Sequence, residues 1–495
     1  MHSTFDRRTF LKSSAVAAAG IAAAAAGVAA AEPASAGTVR IPNLPDSFYQ
    51  RPGLSAMPRI DYASMQVANV RDHGAHGDGV TADNAAFDAA VDALGAQGGV
   101  VYVPPGRYLF TGTGKPNFWS RTLNNIHIVG EGEKSVIVFQ HPGLSDPAYS
   151  FVTGWGFPNA TNMSVRALSL TWTPYCLMRD SNGLYAISMG SAQGAQFIGV
   201  LLDQGQPGLW CNQGSGYWVV DCVVRNIAAD AIHFDSISES TAAYNYVEHV
   251  YDDGVANVTN TFTAPDPATL TNVHFLSNTV VTVPWGRGVT LGGKGQVTEN
   301  NWVEATNSAG IFSTVGIFGG SPSGTLYDSL VRDNTVVRGN LAQRDDNAFY
   351  KFGTGGYDGA LAVMDQLQGI TIDSNHLYGS ETNAITLGID GWFVAKASDI
   401  TIKDNDIQGT TAAGVHMVAG GTVDGIAITG NSILDTAGAS IQVDGTFTDT
   451  SSGGNHVSIA PAVTGSVSGD FSGFTVVGTP PRYHDIYQPF RTSPD

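Results

Sequence analysis

The stretch "LSNTVVTVPWGRGVTLGGKGQVTENNWVEA", Leu276–Ala305, holds two short apolar runs, each led by an asparagine, Asn278 and Asn301, 23 residues apart. The pattern recurs outward in both directions. Upstream, "VVDCVVRN" carries Asp221 and "AAYNYVEH" carries Asn245, 24 residues on. Downstream come "RDNTVV" with Asn334, "DSNHLY" with Asn375, "KDNDIQ" with Asn405 and "TGNSIL" with Asn431. These segments are strand-like, and self-similarity at about two dozen residues marks a β-solenoid. One coil cannot bury its apolar face alone, so stacked coils must share a core of Val, Ile and Phe. At the sharp corners, asparagine side chains are expected to hydrogen-bond to their like in neighbouring coils. The asparagines are therefore read as a structural ladder, with Asp221 at the matching place of its own repeat, and the 60 glycines as relief for the turns.

Upstream lies "NVRDHGAHGDGVTADNAAFDAAVDALGAQGGVVYVPPGRYLF", Asn69–Phe110. Between Thr81 and Leu94, Phe87, Ala90, Val91 and Leu94 fall at helical spacing after a cap at Thr81 or Asp83. Gly98-Gly99 is expected to end that helix, and "VVYVP" to open a strand. The block, with "GDGVTADNAAFDAAV" and "VYVPPGRY", resembles the N-terminal cap and first coil of the pectate-lyase-like right-handed parallel β-helix proteins. The expected fold is thus all-β: a right-handed parallel β-helix (β-solenoid) with a short N-terminal capping helix.

At the N-terminus, Arg7-Arg8 precede an Ala-rich apolar run and Ala34-Ser35-Ala36, the pattern of a twin-arginine export signal with a small-residue cleavage site. Residues 1–36 are read as that signal, 37–68 as a lead-in, 69–478 as the β-helix catalytic domain and 479–495 as a Pro-rich tail. The chain is expected to be secreted, with no membrane association once the signal is removed. Losing Arg7, Arg8, Lys12, Asp6 and Glu32 takes the net charge from −19 to −20. Such a surface repels polyanions, which argues against nucleic acid and more weakly against uronic-acid polymers, and favours a neutral polysaccharide or oligosaccharide. Cys176, Cys211 and Cys222 are too few and too irregular for a disulfide framework or a zinc site, and are read as buried thiols.

Aligning the coils on a shared corner superimposes "QPGLW", "ADAIHF", "DDGVAN" and "GRGVTL", so that Pro207, Asp230, Asp253 and Arg287 occupy one column at spacings of 23, 23 and 34 residues. Coils of a parallel stack lie about 4.8 Å apart. Asp230 and Asp253 then become neighbours, with Asp252 beside them and Arg287 one coil on. Like charges that close raise the proton affinity of at least one acid. A protonated carboxyl beside an ionised one is the arrangement that general acid and base catalysis of glycoside cleavage needs.

The region Cys222–Val258, followed by "NTVVTVPWGRGVTLGG" and "AGIFSTV", resembles the catalytic coils of glycoside hydrolase family 87, the α-1,3-glucanases and mycodextranases. Members read "ADGINF", then "NNYVRNTGDDG", then a Gly-rich corner, and the resemblance is good from Gly208 to Val315. It implies an inverting hydrolase with three catalytic aspartates, no metal and no cofactor. Carried across, the aspartates are Asp230 as general acid and Asp252 and Asp253 as water-activating bases. Ala231 and His233 depart from the Gly and Asn of the family motif, which leaves the glucan linkage open.

Around these acids, Arg287 is expected either to bind a sugar hydroxyl or to form a neutralising salt bridge. His233, between Ile232 and Phe234, faces outward near Asp230, as a solvated or a substrate-binding residue. Trp285 is the candidate for stacking on a pyranose, whereas Trp302 is read as core. The segment 343–359 breaks the repeat as a cleft wall or surface loop. Asp404 and the pair Asp345-Asp346 lack a stacked carboxylate partner and are set aside. Two rival functions are a polysaccharide lyase or polygalacturonase-like enzyme on a uronide, and a non-catalytic glycan-binding β-helix. β-Helices of this kind occur as monomers and as trimers.

Overall fold

The asparagine-led runs form parallel strands that stack coil on coil, giving the all-β, right-handed parallel β-helix expected. The computed structural model describes residues 39–112, 117–140, 152–174, 184–258, 270–283, 286–313, 325–341, 359–363, 366–388, 396–458, 463–465 and 474–477. It divides into two units, Met1–His233 with Glu239–Val247, and Phe234–Ser238 with Glu248–Asp495. The export signal, Cys176, Trp285, the Asp345-Asp346 pair, most of the 343–359 segment and the C-terminal tail lie outside the described residues.

In the first unit the helix Asn84–Leu94 buries Ala86, Phe87, Ala90, Val91 and Leu94. The Phe87 ring meets those of Phe110, Tyr108 and Trp119 at 4.9, 5.7 and 5.9 Å, so the helix plugs the end of the stack with aromatic surface. Asp83 is the N-cap residue, but its carboxylate accepts from the backbone N–H groups of His76, Gly77 and Leu109 instead of from the helix. Thr81 belongs to the strand Asp78–Ala82. The helix ends earlier than expected, at Gly95 (φ 59°), and a 3-10 turn over Gly95–Gln97 follows. Gly98 and Gly99 serve the next strand: a Cβ on Gly98 would stand 2.0 Å from the Asn125 carbonyl oxygen.

The lead-in is tied to the coils by charge and ring contacts. Arg51 donates to both carboxylate oxygens of Asp221 at 2.7 and 2.9 Å, its guanidinium 4.4 Å from the Tyr244 ring centroid. This corrects the expected ladder by one residue. The corner column is Cys222 with Asn245, whose Oδ1 accepts the Cys222 N–H at 2.9 Å, while Asp221 sits before it at φ 54° and pairs with Arg51. Desolvation raises the Asp221 carboxyl above its ordinary range, with Arg51 acting in the opposite direction. Cys211 and Cys222 are free, buried thiols, and burial pushes Cys222 up to about 12.

Among the described residues of the second unit, the core includes three long inward stacks. One runs Phe275, Thr298, Val331, Ile372 and Ile402; another runs Val280, Val303, Val336, Leu377, Ile407 and Ile433; the third runs Val289, Ile311, Leu361, Ile385, Val415 and Ile441. All are buried, and each apolar side chain contributes roughly 1.5–3 kcal/mol. The asparagine ladder runs in line from Asn278 through Asn301, Asn334, Asn375, Asn405 and Asn431 to Asn455, each amide 2.9–3.0 Å from the next Oδ1. Trp302 is buried at the start of the strand Trp302–Thr306, and not in its middle as expected, its Nε1 donating to Glu304 at 3.2 Å. Among the described residues no helix is long and apolar enough to cross a membrane.

Candidate active site

Each unit positions part of the predicted acid column. In the first, Gly208 donates its N–H to the Asp230 carbonyl at 3.1 Å and Leu209 to Ala231 at 2.9 Å, which sets Pro207 in register with Asp230. Asp230 precedes the strand Ile232–Asp235, where Ile232 and Phe234 are fully buried. Alternation therefore turns His233 outward. Its Nδ1 hydrogen-bonds Asp230 Oδ2, and both side chains are largely shielded, at 18% and 14% exposure.

Two aromatic residues absent from the predicted site stand next to this pair. Trp210 meets the His233 ring edgewise at 6.5 Å, and Tyr185 stacks on Trp210 at 4.6 Å with an interplanar angle of 19°. The signal for Trp210 was available. It lies between Leu209 and Cys211, which are both buried, so alternation turns it to the same side as His233.

In the second unit Asp252 and Asp253 are buried, at 5% and 2% exposure, immediately before the strand Val255–Val258. Gly254 donates to the Arg287 carbonyl at 2.9 Å and Val255 to Gly288 at 3.0 Å, so Asp253 and Arg287 share a column as expected. Arg287 Nε donates to Asp253 Oδ1 at 2.6 Å, and Nη2 reaches Asp252 Oδ1 at 3.4 Å. The guanidinium also lies 5.1 Å from the centroid of Phe312. Of the two roles expected for Arg287, the salt bridge is present, and it spans both acids. Gly286 allows the close approach, since a Cβ there would stand 2.4 Å from the Asp252 carbonyl carbon and oxygen.

The structure thus groups Asp252, Asp253 and Arg287 in the second unit and Asp230 with His233 in the first. Carboxylates are natural ligands for hard cations, and Asp252 and Asp253 each place one carboxylate oxygen against Arg287. Asp404 takes a corner conformation at φ 55° beside the asparagine ladder, in keeping with its being set aside.

A family model described as rhamnogalacturonase A/epimerase, pectate lyase-like, matches residues 67–307, and one described as a right-handed β-helix region matches 266–457. The mannuronan C5-epimerase AlgE6 of Azotobacter vinelandii is 36% identical over 104 residues, 21% of this chain and 12% of the epimerase. The chain thus spans about an eighth of that relative's length. The catalytic unit of a GH87 α-1,3-glucanase from Streptomyces thermodiastaticus superposes with a TM-score of 0.54 at 20% identity, over 81% of this chain and 70% of the glucanase. The surface adhesin PfbA of Streptococcus pneumoniae does so at 0.53 and 13% identity, over 76% of this chain and 92% of the adhesin. At these identities the superpositions bear on the fold alone.

Proposed function

We propose that this chain is a secreted, polysaccharide-cleaving glycoside hydrolase acting on a neutral α-glucan, α-1,3-linked, by inversion. One observation carries the reading: two adjacent aspartates are held buried against a single guanidinium, at the corner that the 23-residue coil spacing pairs with Asp230. A turn that merely tolerated Asp-Asp-Gly would leave both charges in water. Asp230 is the general acid, giving its proton to the departing glycosidic oxygen as the C–O bond breaks. Asp252 and Asp253 are the bases that draw a proton from the water attacking C1 from the opposite face. His233 holds Asp230 and offers its other ring nitrogen toward substrate. The α-1,3 linkage rests on the resemblance of "ADAIHF" and "YDDG" to the family 87 motifs, and secretion on the N-terminal signal pattern.

A second reading, epimerisation or β-elimination of a polyuronide, draws on the epimerase match and on a pectate-lyase-like family model that spans Asp230 to Arg287. Two features weigh against it. The net charge of −19 repels a polyanion, and Arg287, the cation placed to receive a uronate carboxylate, is bound to Asp253. A third reading, a non-catalytic glycan-binding β-helix, makes the aspartates dispensable.

The test is incubation of α-1,3-glucan, pectate and alginate with wild type, Asp230→Asn and Asp253→Asn. Wild type should release reducing ends from the glucan, the inverted anomer forming first, and each variant should lose roughly 10²–10⁴-fold in rate. Variants as active as wild type would end the catalytic assignment. Unsaturated products from pectate or alginate would establish a lyase. Exchange of uronate C5–H in heavy water without chain cleavage would establish an epimerase, and activity abolished by a chelator would refute a metal-free mechanism.

A further inference from the structure

The column that carries Asp253 and Arg287 continues through the second unit. Backbone hydrogen bonds carry it through Ala309, Gly359 and Asn383 to Ala413 and Ala439. Asn383 stands four coils from Asp253, roughly 19 Å at about 4.8 Å per coil. Around Asn383 the corner carries a connected polar network instead of a ladder of like residues. Thr386, His416 and Gln442 lie in register on successive coils, and Asp444 follows two residues after Gln442. Val415, Met417, Ile441 and Val443 are buried, so alternation directs His416, Gln442 and Asp444 outward.

The partners fix which atoms of Asn383, His416 and Gln442 donate and which accept. The Ala413 N–H, a donor only, reaches Asn383 Oδ1 at 3.0 Å, which makes the other amide atom the NH₂. That nitrogen donates to Thr386 Oγ1 at 3.3 Å and to His416 Nδ1 at 3.2 Å. His416 therefore carries its proton on Nε2 and donates it to Asp444 Oδ2 at 2.8 Å. Gln442 Nε2 donates to the same oxygen at 2.9 Å, which directs its carbonyl oxygen elsewhere as an acceptor. These two bonds hold the Asp444 carboxyl below its usual range, with the His416 bond the larger cause. Asp444 is half exposed, at 53%, and His416 less so, at 20%. The result is an anchored array on rigid strands that offers a carboxylate oxygen and an amide oxygen as fixed acceptors. Such acceptors suit sugar hydroxyls, which are donors, and a carboxylate among them disfavours a uronate.

We propose that Asn383, His416, Gln442 and Asp444 form a distal subsite for neutral sugar residues of a long glycan, four to six coils from Asp253 along the same corner. The choice of ligand rests on the reading of the aspartates as a glucan-cleaving site; the array itself does not. The test is calorimetric titration of the full-length protein, Asp444→Ala and Gln442→Ala with nigerose and nigerohexaose, and with oligomannuronate as an anionic control. The hexasaccharide should bind each variant about tenfold more weakly than wild type, and nigerose should bind all three alike. The KM for the hexasaccharide should rise in step, with kcat unchanged. Equal hexasaccharide affinity in all three proteins, or a wild-type preference for oligomannuronate, would overturn the subsite. If binding depends on Asp444 but no reducing ends appear, the subsite stands and the hydrolase reading falls. If the glucan is cleaved with a KM that neither variant changes, the hydrolase reading stands and the subsite falls.

Discussion

Replacing Arg287 with methionine keeps most of the side chain's bulk and removes its charge. The Arg287 side chain is 12% exposed and those of its two partners, Asp252 and Asp253, only 7% and 3%, so solvent cannot take over the lost contacts. Breaking a buried pair by deleting one partner leaves an uncompensated charge and costs about 3–5 kcal/mol. Here two carboxylates are stranded, which places the expected loss toward the upper end. Arg287→Lys keeps the charge but loses the fork that spans both acids, and should cost less. The assay is urea unfolding followed by far-UV circular dichroism at neutral pH, with Asp253→Asn made alone and in the Arg287→Met background. The double variant should recover part of the loss, with a coupling of roughly 0.5–3 kcal/mol. The pH dependence has a definite sign. Carboxylates that lose their counter-charge in the folded state bind protons more tightly there than in the unfolded chain, whose aspartates titrate near about 3.9. The variant's deficit is therefore complete above the folded titration and shrinks as pH falls from there toward the unfolded value. A loss below about 0.5 kcal/mol at pH 7, far short of that of a broken buried pair, or no rescue by Asp253→Asn, would refute the view that Arg287 compensates these acids.

Two further outcomes test the scaffold. Asn334→Ala leaves the Asn301 backbone N–H and one of its two side-chain amide hydrogens, both buried, without an acceptor, while the other amide hydrogen keeps the Phe275 carbonyl. At about 1–3 kcal/mol for each stranded group, urea unfolding should show a loss of several kcal/mol, whereas an outward substitution such as Thr335→Ala should change little. His127 is fully buried, its Nδ1 sharing the Ser164 hydroxyl at 3.0 Å, and burial pushes it down to about 4. The unfolded chain takes up that proton near about 6.5, so stability should fall by about 3 kcal/mol between there and pH 4 and level off below. His127→Gln should flatten that part of the profile.

Much of the architecture was legible in the chain because it depends on local repetition. The asparagines led to the ladder and the apolar runs to the inward stacks, since each coil reuses the backbone register of the last. Asp221 falls one residue off the ladder because the left-handed corner it takes precedes the ladder position, as Asn300 precedes Asn301 and Asp333 precedes Asn334. The Cys222 N–H on Asn245 Oδ1 marks Cys222 as the ladder position, while Asp221 pairs with Arg51, 170 residues away. The repeat does not mark Trp210 or Tyr185, because in the "QPGLW" corner the shared column falls on Pro207.

By itself, the sequence determined which residues share a column: Pro207 with Asp230, and Asp253 with Arg287, follow from coil spacing and backbone pairing. Only the tertiary structure decided what those columns do. Side-chain rotamers, which no period specifies, turn Arg287 across both Asp252 and Asp253 and His233 onto Asp230. They also join Asn383, His416 and Asp444, widely separated in the chain, into one hydrogen-bonded array. Register is set by the backbone and propagates from coil to coil; charge pairing depends on where a few long side chains end, and that is settled only when the coils are stacked.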